Sequence, residues 1–354
     1  MPPLTASEGR LSIIGSMTRP TIMDVARKCG VSKTTVSVIL NDSPASSRVP
    51  KETQDRVRAT AESLGYRPNW RARALASRRT HMIGVLYAPP MPLIVRGNYE
   101  GIMAGINEVL SANKYHMLYV PLGERTDEWS QILLDQRMDG CLVLSRVREP
   151  LHQILEQRKL LASLVNADTD LPYPHVLADD YGGATMAVEH LLSLGHQRVA
   201  FLLGKQPPHY SVTQRQGGYE DVMRKQSSGG FVKVYADDGD QLVRDVKQMS
   251  PNERPTAVLV YTHFLAIKLL QKLWEAGLRV PQDLSVVTFG NAYPVEDVIP
   301  PLTAVALPTE QMGRNAAEML LEQIETSGAA EPKREVMKET LVVRRSTGPV
   351  PSRG

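Results

Sequence analysis

A chain of 354 residues with 42% hydrophobic content is long enough for two or three folded units with real cores. No run of about 18 apolar residues and no basic-then-apolar leader occurs, so membrane-spanning and secreted classes are set aside and a cytoplasmic protein is expected. The net charge of only +3 hides an asymmetry: residues 17–80 hold thirteen Lys and Arg against five Asp and Glu, or +8, which leaves 81–354 at −5. A basic head on a mildly acidic body confines any polyanion binding to the head. The two cysteines, Cys29 and Cys141, are far apart in apolar contexts and read as buried free thiols in a reducing compartment.

Residues 1–16 are small and polar and read as a disordered extension, with Met17 a candidate start. Residues 21–41 then carry two short helical patterns broken at Cys29-Gly30-Val31-Ser32, the spacing of a helix-turn-helix. Thr21 with Asp24 forms a capping-box pattern, and Ile22, Val25, Ala26 and Cys29 share one apolar face. Ser32 caps the second helix, which turns Lys33, Thr34, Ser37 and Val38 to solvent and leaves Val36, Ile39 and Leu40 to pack inward. A small polar surface at the start of such a helix suits a major groove, whereas an ordinary helical hairpin would present the same periodicity. After a loop over 42–50, residues 51–64 predict a third helix ended by Gly65. Residues 70–76, with Arg71 and Arg73 among small residues and Leu75, can form a helix too short to be stable without a partner.

From residue 82 apolar runs alternate with amphipathic stretches. Strands are predicted at 83–87, 116–120, 141–144, 164–165, 199–203, 232–235, 257–260 and 284–289. Helices are predicted at 98–113, 128–137, 184–194, 218–225, 242–249 and 265–276. Strand–helix alternation argues parallel sheets covered on both faces, and about 270 residues divide better into two lobes than one sheet, with a ligand cleft at the carboxyl ends of the strands. Asp179-Asp180 reads as a helix N-cap and first-turn acid rather than a metal pair. The histidines show no ligand spacing, and no metal site or cofactor is expected. An enzyme is disfavoured because G-x-G-x-x-G after a strand, the P-loop pattern and the G-x-S-x-G elbow are all missing. A solute receptor is disfavoured by the basic head.

Several long phrases in one order, among them TIMDVARKCGVSKTTVSVILN, ESLGYRPNWRARALA, MDGCLVL, LLSLGHQRVAFLLG, GLRVPQDLSVVTF and IPPLTAVALP, make residues 19–347 resemble the lac/gal repressor family. The resemblance implies a small all-α helix-turn-helix head plus an α/β body of two-lobed, type I periplasmic-binding-protein-like fold. It places the head at 17–66, a hinge helix at 67–80, and an effector-binding and dimerisation body at 81–347, followed by a flexible tail at 348–354. The chain would cross between lobes three times, with the first lobe formed by about 81–177 and 309–337 and the second by about 178–306 and 338–347. The implied partners are double-stranded operator DNA of near-palindromic sequence, a second copy of the chain in a homodimer, and a small-molecule effector. Control by a partner protein, without a small-molecule ligand, is the alternative.

For the head, the resemblance implies Lys33, Thr34, Ser37 and Val38 at base edges, with Thr21, Ser32, Thr35 and Asn41 nearer phosphates. Leu75 matches a hinge leucine that wedges into the minor groove, and Arg71 and Arg73 would flank it. Where the family usually carries arginine, this chain has Val38, which can offer a thymine methyl only apolar contact. For the effector the resemblance implies Arg215 as the main grip, with Asn166, Thr262, His263 and Asn291 around it. Familiar cleft groups are replaced: Pro92-Leu93-Ile94-Val95, Thr262-His263 and Gly290-Asn291 stand at three of these places. The acid that holds sugar hydroxyls is thus missing, and an anionic or less hydroxylated ligand is expected at Arg215.

Overall fold

In the computed structural model, residues 20–41, 44–67, 79–88, 98–144, 146–206, 209–226 and 231–350 are described below. They form two compact units that divide at Thr80 and His81. In the first unit, helices α1 (Ile22–Cys29), α2 (Lys33–Leu40) and α3 (Lys51–Ser63) enclose a core of Val25, Ala26, Cys29, Val36, Ile39, Val57 and Ala61. Thr21 starts α1 through its backbone N–H and hydroxyl, which both donate to Asp24 Oδ2, at 2.9 and 2.7 Å. Gly30 stops it at φ +64°, a conformation in which a Cβ would be strained. Ser32 Oγ accepts from Thr35 N at 3.1 Å and so begins α2. The segment expected as plain loop contains a short 3-10 turn at Pro44–Arg48.

The second unit contains two six-stranded sheets. The first has the order β11-β5-β4-β3-β1-β2, all parallel, with β1 Met82–Tyr87, β2 His116–Pro121, β3 Gly140–Val143, β4 Leu161–Val165, β5 His175–Ala178 and β11 Arg334–Met337. The second has the order β12-β10-β9-β8-β6-β7, with β6 Val199–Leu202, β7 Val234–Tyr235, β8 Ala257–Val260, β9 Ser285–Phe289, β10 Thr303–Ala306 and β12 Thr340–Val342. Only β12 runs antiparallel, against β10. Side chains alternate across each sheet, as period-two strands require. Ile83, Val85 and Leu142 face α4 (Asn98–Ala112) and α11 (Thr309–Glu325), while Leu86, Cys141 and Val143 join Trp129 and Leu133 of α5 (Thr126–Leu134) and Leu151 and Leu155 of α6 (Glu149–Arg158). In the second lobe, Val199 and Phe201 pack with α7 (Asp180–Ser193) and α8 (Tyr210–Gln226). Ala200 and Leu202 pack with α9 (Asp240–Gln248) and α10 (His263–Glu275). Sheets covered on both faces explain why their strands are nearly continuous apolar runs.

The chain passes between the lobes from β5 to α7, from β10 to α11, and from β11 to β12. Three differences from the sequence reading have physical causes. Helix α6 escaped because only Leu151 and Leu155 of its ten residues are buried, too little for a periodic signal. β5 has only four residues. Helix α8 begins eight residues earlier than expected: Gly217 and Gly218 argue locally against helix, yet a Cβ on Gly218 would stand 2.5 Å from the Tyr181 carbonyl, so close packing on α7 demands glycine there.

Candidate functional site

On the head, Lys33 and Thr34 are exposed in the first turn of α2, and Ser37 and Val38 are half-buried one turn on. Thr21 and Ser32 are occupied by the caps of α1 and α2, the Ser32 hydroxyl also lying 2.9 Å from Thr35 Oγ1. Asn41 Nδ2 donates to Ser37 Oγ at 3.1 Å, which fixes both side chains at the end of the helix. The free helical surface is therefore Lys33-Thr34 with Val38, small and largely uncharged. Arg71, Arg73 and Leu75 lie outside the described residues, as do Pro92–Val95 of the body.

In the body, the carboxyl ends of both sheets bring polar groups of the two lobes together. Asn166, just beyond β4, has φ +55°, a left-handed conformation that asparagine tolerates better than most residues. Its Oδ1 accepts from the Tyr210 hydroxyl at 2.9 Å, and its carbonyl accepts from His209 Nε2 at 2.8 Å. The Tyr210 oxygen also accepts from Ala178 N at 3.2 Å. Because a carbonyl only accepts, His209 carries its proton on Nε2, and its Nδ1 accepts a hydrogen bond from the Ser211 hydroxyl at 2.7 Å. Ser211 Oγ is in turn 2.7 Å from the Tyr261 hydroxyl. This chain of bonds joins the second lobe's α8 to the first lobe's strand ends. Burial holds the His209 imidazole below its ordinary range, against the pull of its bond to Asn166, so the ring is neutral.

Arg215 is buried on α8. Its Nε donates to Asp180 Oδ1 at 2.6 Å and its Nη1 to the Tyr261 carbonyl at 2.6 Å. The guanidinium carbon lies 3.9 Å from the centre of the Phe289 ring and 4.8 Å from that of Tyr261. Asp179 caps α7, its Oδ1 accepting from Gly182 N at 3.0 Å, whereas Asp180, one residue on, is spent on Arg215. Glu339, between β11 and β12, is 92% buried against Gly183, since its relative exposure is 8%. Both of its carboxyl oxygens and Asp180 Oδ2 lack hydrogen-bond partners among the described residues. Burial pushes the Glu339 carboxyl up to about 9, Asp180 adding to the shift and Arg215 opposing it.

The other expected effector residues have occupations of their own. Thr262 Oγ1 caps α10 by accepting from Leu265 N at 3.3 Å. Burial pushes His263 down to about 4, opposed by its bond to the Phe289 carbonyl, and its buried Nε2 has no hydrogen-bond partner among the described residues. Asn291 is exposed, and its Oδ1 accepts from Arg344 Nη2 at 2.7 Å. Arg215, Asn166 and His263 therefore stand at the strand ends, while Asn291 turns to Arg344. The residues that sequence reasoning missed are His209, Tyr210, Tyr261 and Glu339. A separate groove of about 410 Å³ lies at the far end of α4 and α11, lined by Glu108, Arg314, Glu318 and Glu322.

A helix-turn-helix joined to a two-lobed α/β body with polar groups between the lobes is the plan of a ligand-responsive regulator, and the comparisons agree. Residues 21–69 match the model for bacterial regulatory proteins of the lacI family, and residues 188–347 match that for a periplasmic binding protein-like domain. The HTH-type transcriptional regulator CelR of Thermobifida fusca is 30% identical over 340 residues, covering 93% of this chain and 98% of CelR. The HTH-type transcriptional repressor PurR of Vibrio atlanticus is 29% identical over 343 residues, covering 92% and 98%. A solved CelR–cellobiose complex shares 28% identity with a TM-score of 0.65 over 93% of this chain and 100% of that one. The lac repressor dimer bound to operator and the anti-inducer ONPF shares the fold, with a TM-score of 0.76 at 24% identity over 93% and 99%. The protein is a DNA-binding transcriptional regulator and not an enzyme. It belongs to the lacI family of bacterial regulatory proteins.

Proposed function

We propose that this regulator is a repressor that binds a near-palindromic operator as a homodimer and is switched by an uncharged small molecule held between the lobes. The observation that carries the reading is the set of polar groups from both lobes, Asn166, Tyr210 and Arg215, gathered at facing strand ends beside the three crossovers. A ligand that binds one arrangement of the lobes better shifts the population toward it, and a coupling of about 1–3 kcal/mol is enough for regulation. The sequence reading, an anionic or less hydroxylated ligand at Arg215, rested on the guanidinium fork and on the missing sugar-binding acid. Asp180 already balances Arg215, with Asp179 nearby, so an added anion would meet a site of net negative charge. An uncharged ligand with a ring or apolar edge fits Tyr261 and Phe289 better. CelR, whose complex holds cellobiose, shows a relative with a neutral ligand.

On the DNA side, Lys33, Thr34, Ser37 and Val38 read base edges, while Thr21, Ser32, Thr35 and Asn41 lie nearer phosphates. Arg71, Arg73 and Leu75 engage the minor groove. Val38 makes only apolar contact, so its base position favours thymine. A homodimer is supported by large apolar side chains left in solvent on the second lobe, Trp274 at 80% and Ile299 at 92% exposure, with Phe264 and Tyr293. The test is affinity selection of genomic fragments by the full chain at one fixed salt concentration, followed by sequencing. It is repeated with a pool of neutral glycosides and nucleobases, and with a pool of sugar phosphates and dicarboxylates. Enrichment of a near-palindrome that only the neutral pool alters supports the reading. No enriched sequence under any condition overturns the operator, and an effect of the anionic pool alone overturns the ligand class. Val38→Arg should move the preferred base at one symmetric pair of positions toward guanine.

A further inference from the structure

Tyr210 is the first residue of α8, on the second lobe, and its side chain reaches across to the first. There its hydroxyl donates to Asn166 Oδ1 at 2.9 Å and accepts from the backbone N–H of Ala178, the last residue of β5, at 3.2 Å. One oxygen thus serves an acceptor and a donor that stand at the ends of two neighbouring strands of the other lobe. His209, one residue earlier, donates from Nε2 to the carbonyl of the same Asn166 at 2.8 Å, so two adjacent residues of the second lobe hold one residue of the first. Burial, and after it the nearby Asp180 carboxylate, push the Tyr210 phenol well above its ordinary range, which keeps the donated proton on its oxygen. Any motion that parts the start of α8 from the ends of β4 and β5 must break these bonds, since the two partners of each belong to different lobes. Tyr219, further along the same helix, is the contrast: its buried hydroxyl donates to the Val199 carbonyl at 2.9 Å and accepts from Lys233 N at 2.9 Å, both of the second lobe.

We infer that Tyr210 is a built-in latch of this regulator, holding the lobes in the present arrangement when no ligand is bound. The inference rests on the proposed change of lobe arrangement and is independent of the ligand's identity and of the operator. Asn166 Oδ1 and the Ala178 N–H, the two groups the latch engages, are polar groups that the first lobe presents at its strand ends. A ligand that takes them exchanges for the Tyr210 hydroxyl, so the chain itself sets the resting state and the threshold for leaving it. Removing only that hydroxyl leaves both groups without this partner in the present arrangement, while parting of the lobes opens them to water. The ratio of the present form to the parted form should then fall by about tenfold, the order that follows when a hydrogen-bonding group shielded from water loses its partner.

The test uses the full-length protein without ligand or DNA, with cysteines placed at the exposed Gln157 on α6 and Gln248 on α9, one on each lobe. Both native thiols are buried. The pair is labelled with donor and acceptor dyes, diluted into unlabelled protein, and the inter-lobe distance distribution is read by single-molecule energy transfer. Wild type is compared with Tyr210→Phe, with Asn166→Gly, which removes the acceptor on the other lobe and suits the left-handed backbone there, and with Tyr219→Phe. The expected result is a distribution displaced in the same direction in Tyr210→Phe and Asn166→Gly and unchanged in Tyr219→Phe, whose lost hydroxyl bonds within one lobe. Superimposable distributions of Tyr210→Phe and wild type overturn the inference. Displacement in Tyr210→Phe without any in Asn166→Gly overturns it too, because the bond across the lobes is then not what holds them. Equal displacement in Tyr219→Phe overturns it as well, since the effect is then a loosening of α8 within its own lobe. With neither ligand nor DNA present, these outcomes are separable from failure of the operator or effector reading, which the affinity selection reads.

Discussion

Arg215 shows how a residue's meaning depends on its partner. Alone in the phrase TQRQGGY it looks like a free fork for an anion, but in the fold it is buried on Asp180 and between two rings. Breaking a buried pair by removing one member costs about 3–5 kcal/mol because the other charge is left unpaired, although the intact pair adds little net stability. Arg215→Ala is therefore expected to lower stability by that order, measured by urea unfolding of the full chain. Asp180→Asn combined with Arg215→Met should cost clearly less than the two single changes summed. Simple additivity would mean the pair is not energetically coupled. The pairing was not legible in sequence because Asp180 and Arg215 lie on different helices and nothing local links them. Glu339 was less legible still, since Met337-Lys338-Glu339-Thr340 has the look of a solvated turn.

Among the elements, α4 and α11 are held together by backbone proximity. Gly101 and Gly105 on α4 and Gly313 on α11 each leave a space that a Cβ would overrun, against Thr309, the Glu310 carbonyl and the Ile102 carbonyl respectively. Helix α11 starts directly after the second crossover, so this seam ties that crossover to the helix following β1. Gly105→Val should destabilise by about 1–3 kcal/mol or more, because the obstacle is backbone and cannot swing aside. Hydrogen exchange in full-length protein should show the loss in α4 and α11 and leave α9 and α10 unchanged; uniform loss would argue against a local seam. The helices of the head were legible because caps and breakers are encoded within a few residues of one another, as in Thr21 with Asp24, Gly30 and Ser32. Helix α8 was read short because its glycines answer to α7 rather than to local propensity.

At the scale of the whole molecule, the basic excess and the large exposed apolar side chains fall in different parts of the chain. The basic excess sits in residues 17–80, and no helix among the described residues is long and apolar enough to cross a membrane. If the protein is the homodimer proposed above, Trp274→Asp with Ile299→Asp is expected to give monomer in analytical ultracentrifugation and to weaken operator binding steeply, since each head alone would read one half-site. A dimer that survives both changes would place the interface elsewhere. The lacI-family plan was readable from the chain alone, because helix caps, period-two strands and recurring phrases are local patterns that survive without knowledge of contacts. The state of the inter-lobe groups was not. Whether Arg215 is free, which tautomer His209 adopts and whether Glu339 carries a proton depend on neighbours up to 156 residues away in the chain, as His209 Nε2 on Asn166 and Gly183 against Glu339 on the third crossover show. Burial and pairing set those charges, and both are properties of the folded arrangement rather than of any segment.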